Sequence, residues 1–254
     1  MVSDKLAIVT GSSSGIGKSF VDYYLRNDYA VIGIDRDIPK DKQTQKLINK
    51  NFRHIGFDLT NLPSYNILDK VIANISQKSI TLVNCAGVAF KSSVVNSNLT
   101  NNINTLFVNA YAPLYLSTQL VKHLSQGCRI TIINVSSTVA FSPIPNMAIY
   151  GATKAFLHSL TKAMQYESEN TNIKVFELIP GGTKTNFQKN AGVVTKNQKL
   201  LSADEVVEKC IKSLNNGKDR LVVGYKNKLF TIFMMFLPTR IKMIIWNHLI
   251  SSIK

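Results

Sequence analysis

The sequence has few of the residues that build disulfide scaffolds or metal sites. Its three cysteines are Cys85, Cys128 and Cys210, and none belongs to a Cys-x-x-Cys pair. Because an odd and sparse set of cysteines argues against a disulfide framework, we interpret all three as apolar side chains in a reducing compartment. The four histidines lack the spacing of a metal site.

Long apolar runs are missing as well. No stretch reaches the roughly 18 uncharged apolar residues that indicate a membrane span. The first residues, Met1 to Leu6, lead directly into a strand-like run and have no signal-peptide pattern. Internal repeats, low-complexity tracts and linkers rich in proline and glycine do not occur. We therefore expect one domain in the cytoplasm.

Acidic residues are scarce. The chain of 254 residues has 15 Asp and Glu against 30 Lys and Arg, a formal net charge of +15. From Lys209 to Lys254, nine Lys or Arg accompany a single acid, Asp219, so this last fifth of the chain holds about half of the surplus. A basic surface suits nucleic acid, anionic lipid or acidic substrates. Since no recognised nucleic-acid-binding module is present, we expect no nucleic-acid partner.

Short apolar runs alternate with helical stretches along most of the chain. Several runs are almost continuously apolar, as strands buried on both faces should be. The segments between them have helical spacing. This alternation predicts an α/β fold, a three-layer αβα sandwich around a roughly seven-stranded parallel sheet. The predicted strands are Leu6–Val9, Ala30–Ile34, Phe52–Phe57, Ile80–Asn84, Arg129–Val135, Lys174–Ile179 and Arg220–Val223.

A glycine-rich turn follows the first predicted strand. The sequence TGSSSGIG, residues 10–17, stands between this strand and the helical run Lys18–Arg26. Gly11 suits a tight turn, Gly15 lets the backbone approach a diphosphate, and Gly17 permits close packing of helix and strand. The helix N-terminus supplies unpaired N–H groups and a favourable dipole for an anion. The order strand, turn, helix therefore predicts a dinucleotide phosphate site.

The second predicted strand ends in Asp35 and Arg36. A carboxylate at this strand end accepts hydrogen bonds from the ribose hydroxyls of NAD, and it repels the 2′-phosphate of NADP. Arg36 favours the opposite choice, because a guanidinium pairs with that phosphate. We expect NAD to be preferred, with NADP as the alternative.

The glycine spacing, G-x-x-x-G-x-G, resembles the short-chain dehydrogenase/reductase family in its short single-domain form. The resemblance implies a Rossmann-like fold, an NAD(P)(H) cofactor and reversible oxidation of a CH–OH group. Relatives that use NADP often carry a basic residue at the position of Ser14, so the serine also favours NAD.

Later segments resemble further family motifs, in the order of the family. NCAG, residues 84–87, is similar to N-N-A-G with Cys85 as a departure, and PGGTKT, residues 180–185, is similar to P-G-x-x-x-T. Asp58 stands where relatives place an Asp near the adenine ring. The cofactor-binding residues that the resemblance implies are Gly11, Ser13, Gly15, Ile16, Gly17, Asp35, Arg36, Asp58, Leu59, Asn84, Ala86, Gly87, Tyr150, Lys154, Pro180, Gly181, Thr183 and Thr185.

Tyr150 and Lys154 have the spacing Y-x-x-x-K. Residues four apart share a face of a helix, so the Lys154 ammonium is expected beside the Tyr150 ring. A free phenol has a pKa of about 10, and a nearby cation lowers that pKa because it favours the phenolate. We predict that Tyr150 is the acid/base that exchanges a proton with the substrate oxygen.

The resemblance adds two catalytic residues. Ser137 matches the family serine that holds the substrate oxygen by a hydrogen bond. Asn109 matches the family asparagine whose backbone carbonyl and side chain help to place a water beside the lysine. The implied catalytic set is Asn109, Ser137, Tyr150 and Lys154, and Lys154 is also implied to bind the cofactor ribose.

The end of the chain departs from the family pattern. Two apolar segments, Leu229–Leu237 and Ile241–Ile250, flank Pro238, and the charges beside them are all positive. One interpretation is a pair of helices that cap the substrate pocket or pack in a dimer. The other is an amphipathic anchor that lies on anionic lipid, peripheral on the inner face of a membrane. We interpret residues 1–224 as the catalytic domain and residues 225–254 as a helical extension of the same domain.

The predicted function is reversible hydride transfer between NAD(P)(H) and a secondary alcohol or ketone. The apolar, basic tail is similar to that of relatives with lipid-like, acyl or steroid-like substrates, so such a substrate is one expectation. We expect the pocket to be shaped by the residues between Gly87 and Leu99 and between Thr185 and Leu201. We also expect a homodimer or homotetramer.

Two other functions compete with this prediction. A nucleotide-sugar epimerase or dehydratase shares the Tyr and Lys, but it has a G-x-x-G-x-x-G loop and a larger C-terminal domain, and neither is present here. A non-catalytic dinucleotide sensor typically loses the Tyr or the Lys, whereas this chain keeps all four catalytic positions.

Overall fold

A computed structural model of the chain describes residues 3–38, 51–124, 127–192 and 200–251. Its strands are β1 (Lys5–Thr10), β2 (Ala30–Asp35), β3 (Phe52–Gly56), β4 (Ser79–Asn84), β5 (Arg129–Val135), β6 (Ile173–Ile179) and β7 (Arg220–Val222). They form one parallel sheet in the order β3-β2-β1-β4-β5-β6-β7. The predicted fold and its seven strands are confirmed, each strand to within one residue at either end.

Helices cover both faces of the sheet. They are α1 (Gly15–Arg26), α2 (Asn66–Ala73), α3 (Leu99–Leu106), α4 (Ala112–Leu124), α5 (Ala148–Glu167), α6 (Phe187–Asn190), α7 (Ala203–Asn215), α8 (Tyr225–Phe236) and α9 (Thr239–Ser251). A π-helical turn, Phe107–Tyr111, joins α3 to α4. Short 3₁₀ turns occupy Leu62–Ser64 and Thr138–Phe141.

Two apolar cores lie on opposite sides of the sheet because successive strand residues point to opposite faces. Ile8 belongs to the core that packs under α2 and α4, whereas its neighbour Val9 belongs to the core under α1 and α7. Leu120 of α4 and Phe20 of α1 are both fully buried in these cores. Continuous burial on two faces explains why the central strands are apolar throughout.

From β1 the chain builds the sheet outward in one direction through β2 and β3. It then returns to place β4 on the other side of β1, so the strand order reverses between β1 and β4. In an open parallel sheet, a crevice forms at such a reversal outside the carboxyl ends of the strands. The loops that follow β1, β2, β4, β5 and β6 meet at this edge. They contain the polar motifs found in the sequence.

Helices α8 and α9 lie against this same end of the molecule. Met234 and Thr231 of α8 are buried, and α8 contacts the turn Thr138–Phe141. In α9, the Trp246 indole N–H donates to the Ser142 hydroxyl, and its ring meets Phe230 edge-on with centroids 5.5 Å apart. Within the described ranges no helix has the length and apolar character of a membrane span.

Candidate active site

The turn after β1 is packed closely around its glycines. Gly11 has a φ of +69°, and a Cβ there would lie 2.9 Å from the Ala86 Cα. A Cβ on Gly17 would lie 2.0 Å from the Gly11 carbonyl oxygen. A Cβ on Gly15 would lie 3.1 Å from the Thr185 side chain. The glycine turn therefore touches both of the later motifs, the one after β4 and the one after β6.

The beginning of α1 is suited to an anion. Ser14 is the N-cap residue, yet its side chain makes no capping hydrogen bond, and the first turn of α1 contains no acidic residue. The first N–H groups of a helix have no partner within the helix, so without a side-chain cap they are available to a phosphate. The glycine turn and this helix end fit a dinucleotide diphosphate.

Asp35 reaches from the end of β2 to the glycine turn. Its Oδ2 accepts a hydrogen bond of 3.0 Å from the Ser13 N–H and one of 2.7 Å from the Ser13 hydroxyl. Arg36 beside it is exposed. The structure thus fixes the carboxylate next to the phosphate turn and leaves the guanidinium in solvent.

Thr10 is a site residue that sequence reasoning missed. Its hydroxyl oxygen accepts hydrogen bonds from the N–H groups of Cys85 and Ala86, at 3.0 and 3.1 Å. These bonds tie the end of β1 to the segment after β4. A buried hydroxyl at the last position of a strand, directly before a glycine turn, was the available signal.

Several implied cofactor residues have partners within the protein. The Asn84 side chain is buried and donates to the Asn134 side chain at 2.8 Å and to Ser117 at 3.1 Å. Asp58 accepts from the backbone N–H and the hydroxyl of Thr60. Leu59 is buried in the core under α2 and α4, and Ile16 packs against the opposite core. These residues support the walls of the crevice.

The segment after β6 is held by α8. A Cβ on Gly181 would overlap the Asn227 side chain, which donates to the Val223 carbonyl at 2.7 Å. Pro180 is buried beside Gly181. Thr183 is buried and forms a single parallel bridge with Leu201. The Thr185 side chain lies beside Gly15 of the glycine turn.

Ser137, Tyr150 and Lys154 are buried together where β5 meets α5. The Ser137 side chain acts on the Tyr150 hydroxyl, where it favours the ionised form and so lowers the pKa. The Lys154 ammonium lies 5.9 Å from the Tyr150 ring centroid and donates to the Val135 carbonyl at 2.8 Å. The three groups predicted for catalysis therefore share one site.

In the protein alone burial has the largest effect on the Tyr150 pKa, and the predicted lowering of that pKa by Lys154 stays a prediction. Burial raises the pKa of Tyr150 to about 12, and the Ser137 side chain opposes that rise only in part. Burial also lowers the pKa of Lys154 to about 8, because a charged ammonium is costly away from water. At neutral pH Tyr150 is therefore protonated and ready to donate a proton.

Asn109 lies in the π-helical turn and is fully buried. Its side chain accepts from the Val88 N–H at 2.9 Å and donates to the Val88 carbonyl at 2.8 Å and to the Thr153 hydroxyl at 3.2 Å. These bonds use both amide hydrogens. The side chain therefore fixes the segment after Gly87, and its Oδ1 has one further lone pair. The expected role of Asn109 in placing a water stays a prediction.

A cavity of about 370 Å³ opens beside Tyr150. Predicted pocket segments contribute to it, with Ser92 from the first and Ala191 from the second. Residues 193–199 of the second segment lie outside the described residues. Helix α3 adds Asn101 and Asn102, which were not predicted. The Phe187 ring, which belongs to the second predicted segment, has its centroid 5.6 Å from that of Tyr150.

Known proteins similar to this chain are dehydrogenases and oxidoreductases. A family model described as short chain dehydrogenase matches residues 5–212. An oxidoreductase of Staphylococcus epidermidis, itself uncharacterized, is 25% identical over 213 residues, which cover 84% of this chain and 92% of that protein.

Two solved structures are similar to this fold. A short-chain dehydrogenase from Sphingobium yanoikuyae in complex with NADPH has a TM-score of 0.78 at 24% identity, covering 87% of this chain and 88% of that one. An alcohol dehydrogenase from Comamonas testosteroni, specific for bulky-bulky ketones, has a TM-score of 0.76 at 22% identity, covering 97% and 91%.

Proposed function

This chain belongs to the short-chain dehydrogenase family, and on that premise we propose that it catalyses reversible hydride transfer between NAD(P)(H) and a secondary alcohol or ketone. The observation that carries the proposal is the shared burial of Ser137, Tyr150 and Lys154, with Tyr150 lining a cavity. We assign the catalytic domain to residues 1–224 and treat 225–254 as its extension.

The chain itself supplies the proton and the binding of the oxygen. In ketone reduction Tyr150 donates its proton to the carbonyl oxygen, and in alcohol oxidation it takes the hydroxyl proton back. The Ser137 hydroxyl holds the same oxygen, where charge develops during the reaction. When bound, the nicotinamide cofactor gives or accepts the hydride at the adjacent carbon.

The protonation of Tyr150 bears on both directions of the reaction. Because burial raises that pKa to about 12, the phenol is protonated at neutral pH, which is the form that ketone reduction needs. Alcohol oxidation needs positive charge near the phenol. Lys154 provides it only while protonated, and burial lowers the pKa of Lys154 to about 8. We infer that Lys154 also binds the ribose.

The cavity supports a substrate with apolar and polar parts. Its wall includes Phe90 and Ile149 as well as Ser92, Asn101 and Asn102. A volume of about 370 Å³ lies in the range of pockets for small organic ligands. We propose an acyl-, lipid- or steroid-like carbonyl compound with a hydrogen-bonding group. The test is a spectrophotometric screen of ketones and alcohols, graded by chain length, with NADH and NADPH.

An apolar strip outside the site supports a homodimer or homotetramer. Its exposed side chains lie on α3, α4 and α5, and they include Leu99, Leu106, Leu114 and Phe156. Size-exclusion chromatography with light scattering measures the assembly.

Replacing Asp35 with alanine should reduce the preference for NAD(H). The carboxylate repels a 2′-phosphate, and its loss leaves Arg36 free to pair with that phosphate, so we expect the ratio of kcat/KM for NADH to that for NADPH to fall roughly tenfold or more. Asp37→Ala, an exposed acid two residues away, is the matched control. A wild-type kcat/KM that already favours NADPH would show that the Asp35 assignment is wrong.

A further inference from the structure

Helix α8 is apolar on two opposite faces. The inner face is buried through Thr231 and Met234. Another set of large apolar side chains remains in solvent, spaced so that it forms one stripe along the helix. The stripe consists of Tyr225, Leu229, Ile232, Phe233 and Phe236, and their exposed fractions run from 44% at Ile232 to 85% at Phe236.

Helix α9 continues the pattern. Trp246 faces the protein, where it packs against the cluster that contains Tyr150. Ile241 and Ile244, on other sides of the helix, are 43% and 68% exposed. We call the exposed stripe of α8 together with Ile241 and Ile244 the docking face. Soluble monomers rarely leave so many large apolar groups together in water, so this face needs a partner.

The charges around the docking face are of one sign. Lys226, Lys228, Arg240 and Lys242 lie on the two helices, and the sequence from 220 to 254 contains no Asp or Glu. The helices have 12 and 13 residues and are separated by Pro238, whereas a membrane span needs about 20. Two short helices with apolar side chains and adjacent cations suit the surface of a bilayer rather than its interior.

We propose that the docking face binds the anionic surface of a lipid bilayer, with its aromatic and aliphatic side chains in the interface and its cations at the headgroups. Anionic headgroups complement the uncompensated positive charge. A second copy of this chain would bring the same cations against them. A separate apolar strip on α3 to α5 is moreover available for self-association.

Docking has a consequence for the active site. Trp246 connects α9 to the apolar cluster of Ala89, Ile144, Met147, Tyr150 and Ala191. The docking face is on the outer side of the same helical pair. The catalytic tyrosine therefore belongs to the cluster on which the inner side of α9 packs. The binding itself is independent of the proposed reaction and is measured without turnover.

The test is co-sedimentation of the full-length protein with vesicles at low salt. We expect binding to vesicles of phosphatidylcholine mixed with phosphatidylglycerol, and much weaker binding to phosphatidylcholine alone. The variant Phe233→Ser/Phe236→Ser should bind at least about tenfold more weakly, because two exposed aromatic groups no longer enter the interface. Each exposed cation replaced by glutamine, in Lys226→Gln, Lys228→Gln or Arg240→Gln, should weaken binding about fivefold.

The matched control is Val95→Ser/Tyr166→Ser, which removes two side chains that are 93% and 76% exposed elsewhere on the surface. Its vesicle binding should equal that of the wild type. Melting temperatures check folding, and the glutamine variants keep the test valid if the double serine variant fails to fold. Wild-type protein that stays in the supernatant with anionic vesicles, or docking-face variants that bind as the wild type does, would overturn the proposal. If the wild type binds no vesicles and the variant Phe233→Ser/Phe236→Ser forms a smaller oligomer than the wild type does, the docking face binds a second copy of the chain instead.

Discussion

Replacing Tyr150 with phenylalanine should stop turnover and leave cofactor binding intact. The change removes only the hydroxyl that donates or accepts the proton, and the loss of such a group costs about 10²- to 10⁴-fold in rate. The ring keeps its burial and its contact with Phe187. Steady-state turnover and the fluorescence titration of NADH and NADPH measure the two properties separately.

Tyr166→Phe is the control for this change, since Tyr166 lies on the same helix but is 76% exposed. Its turnover should equal that of the wild type. A Tyr150→Phe enzyme within tenfold of the wild-type rate would remove Tyr150 from the reaction. Loss of cofactor binding in that variant would instead make the tyrosine a binding residue.

Gly17→Ala should abolish cofactor binding and destabilise the fold. A Cβ at this position would lie 2.0 Å from the Gly11 carbonyl oxygen and 2.7 Å from the Gly11 carbonyl carbon, and these backbone atoms cannot move aside as a flexible side chain could. We expect the free energy of unfolding to fall by about 3 kcal/mol, the upper end for an overpacked site. We expect the affinity for NAD(P)H to fall at least about a hundredfold because the phosphate turn must open.

Gly56→Ala is the matched control, because a Cβ at Gly56 has no atom within 4 Å. Its melting temperature and cofactor affinity should both remain those of the wild type. If Gly17→Ala binds NAD(P)H as tightly as the wild type does, the turn is not the phosphate site.

The sheet could be predicted from sequence because its strands are buried on both faces. Each of the apolar runs, from Leu6–Val9 to Arg220–Val223, stands between polar or glycine-rich turns, so the boundaries are visible. The π-helical turn Phe107–Tyr111 could not be predicted in this way. Asn109 within this turn is hydrogen-bonded to Val88, 21 positions away, and the chain forms such a contact only after folding.

The sequence predicts which site residues lie close together. It does not predict how deeply they are buried. Helical spacing correctly places Lys154 beside Tyr150. It does not reveal that burial raises the pKa of Tyr150 and lowers that of Lys154, because burial depends on the packing of distant segments. The contacts of Thr10 with the segment after β4 depend on strand order in the same way.

The two interpretations of the chain end depend on different sides of its helices. The inner side of α9 packs on the cluster that contains Tyr150 through Trp246, but among the described residues none of α8 or α9 lines the cavity, so the pocket-capping interpretation stays a prediction. The outer side, with Phe236 and Ile244 in solvent, is the feature on which the lipid interpretation depends. The hydrogen bond between Trp246 and Ser142 joins residues 104 positions apart, a pairing that no local pattern indicates.

Transfer of deuterium from the cofactor tests the central claim most directly. The enzyme is incubated with ketones and with NADH or NADPH that carries deuterium at the transferring carbon, and the alcohol product is examined by mass spectrometry. We predict one deuterium on the carbinol carbon with the wild type, and at least about a hundredfold less deuterated product from Tyr150→Phe in the same time. Tight binding of the cofactor without deuterium transfer to any ketone in a panel graded by chain length would contradict the account and favour a non-catalytic dinucleotide sensor.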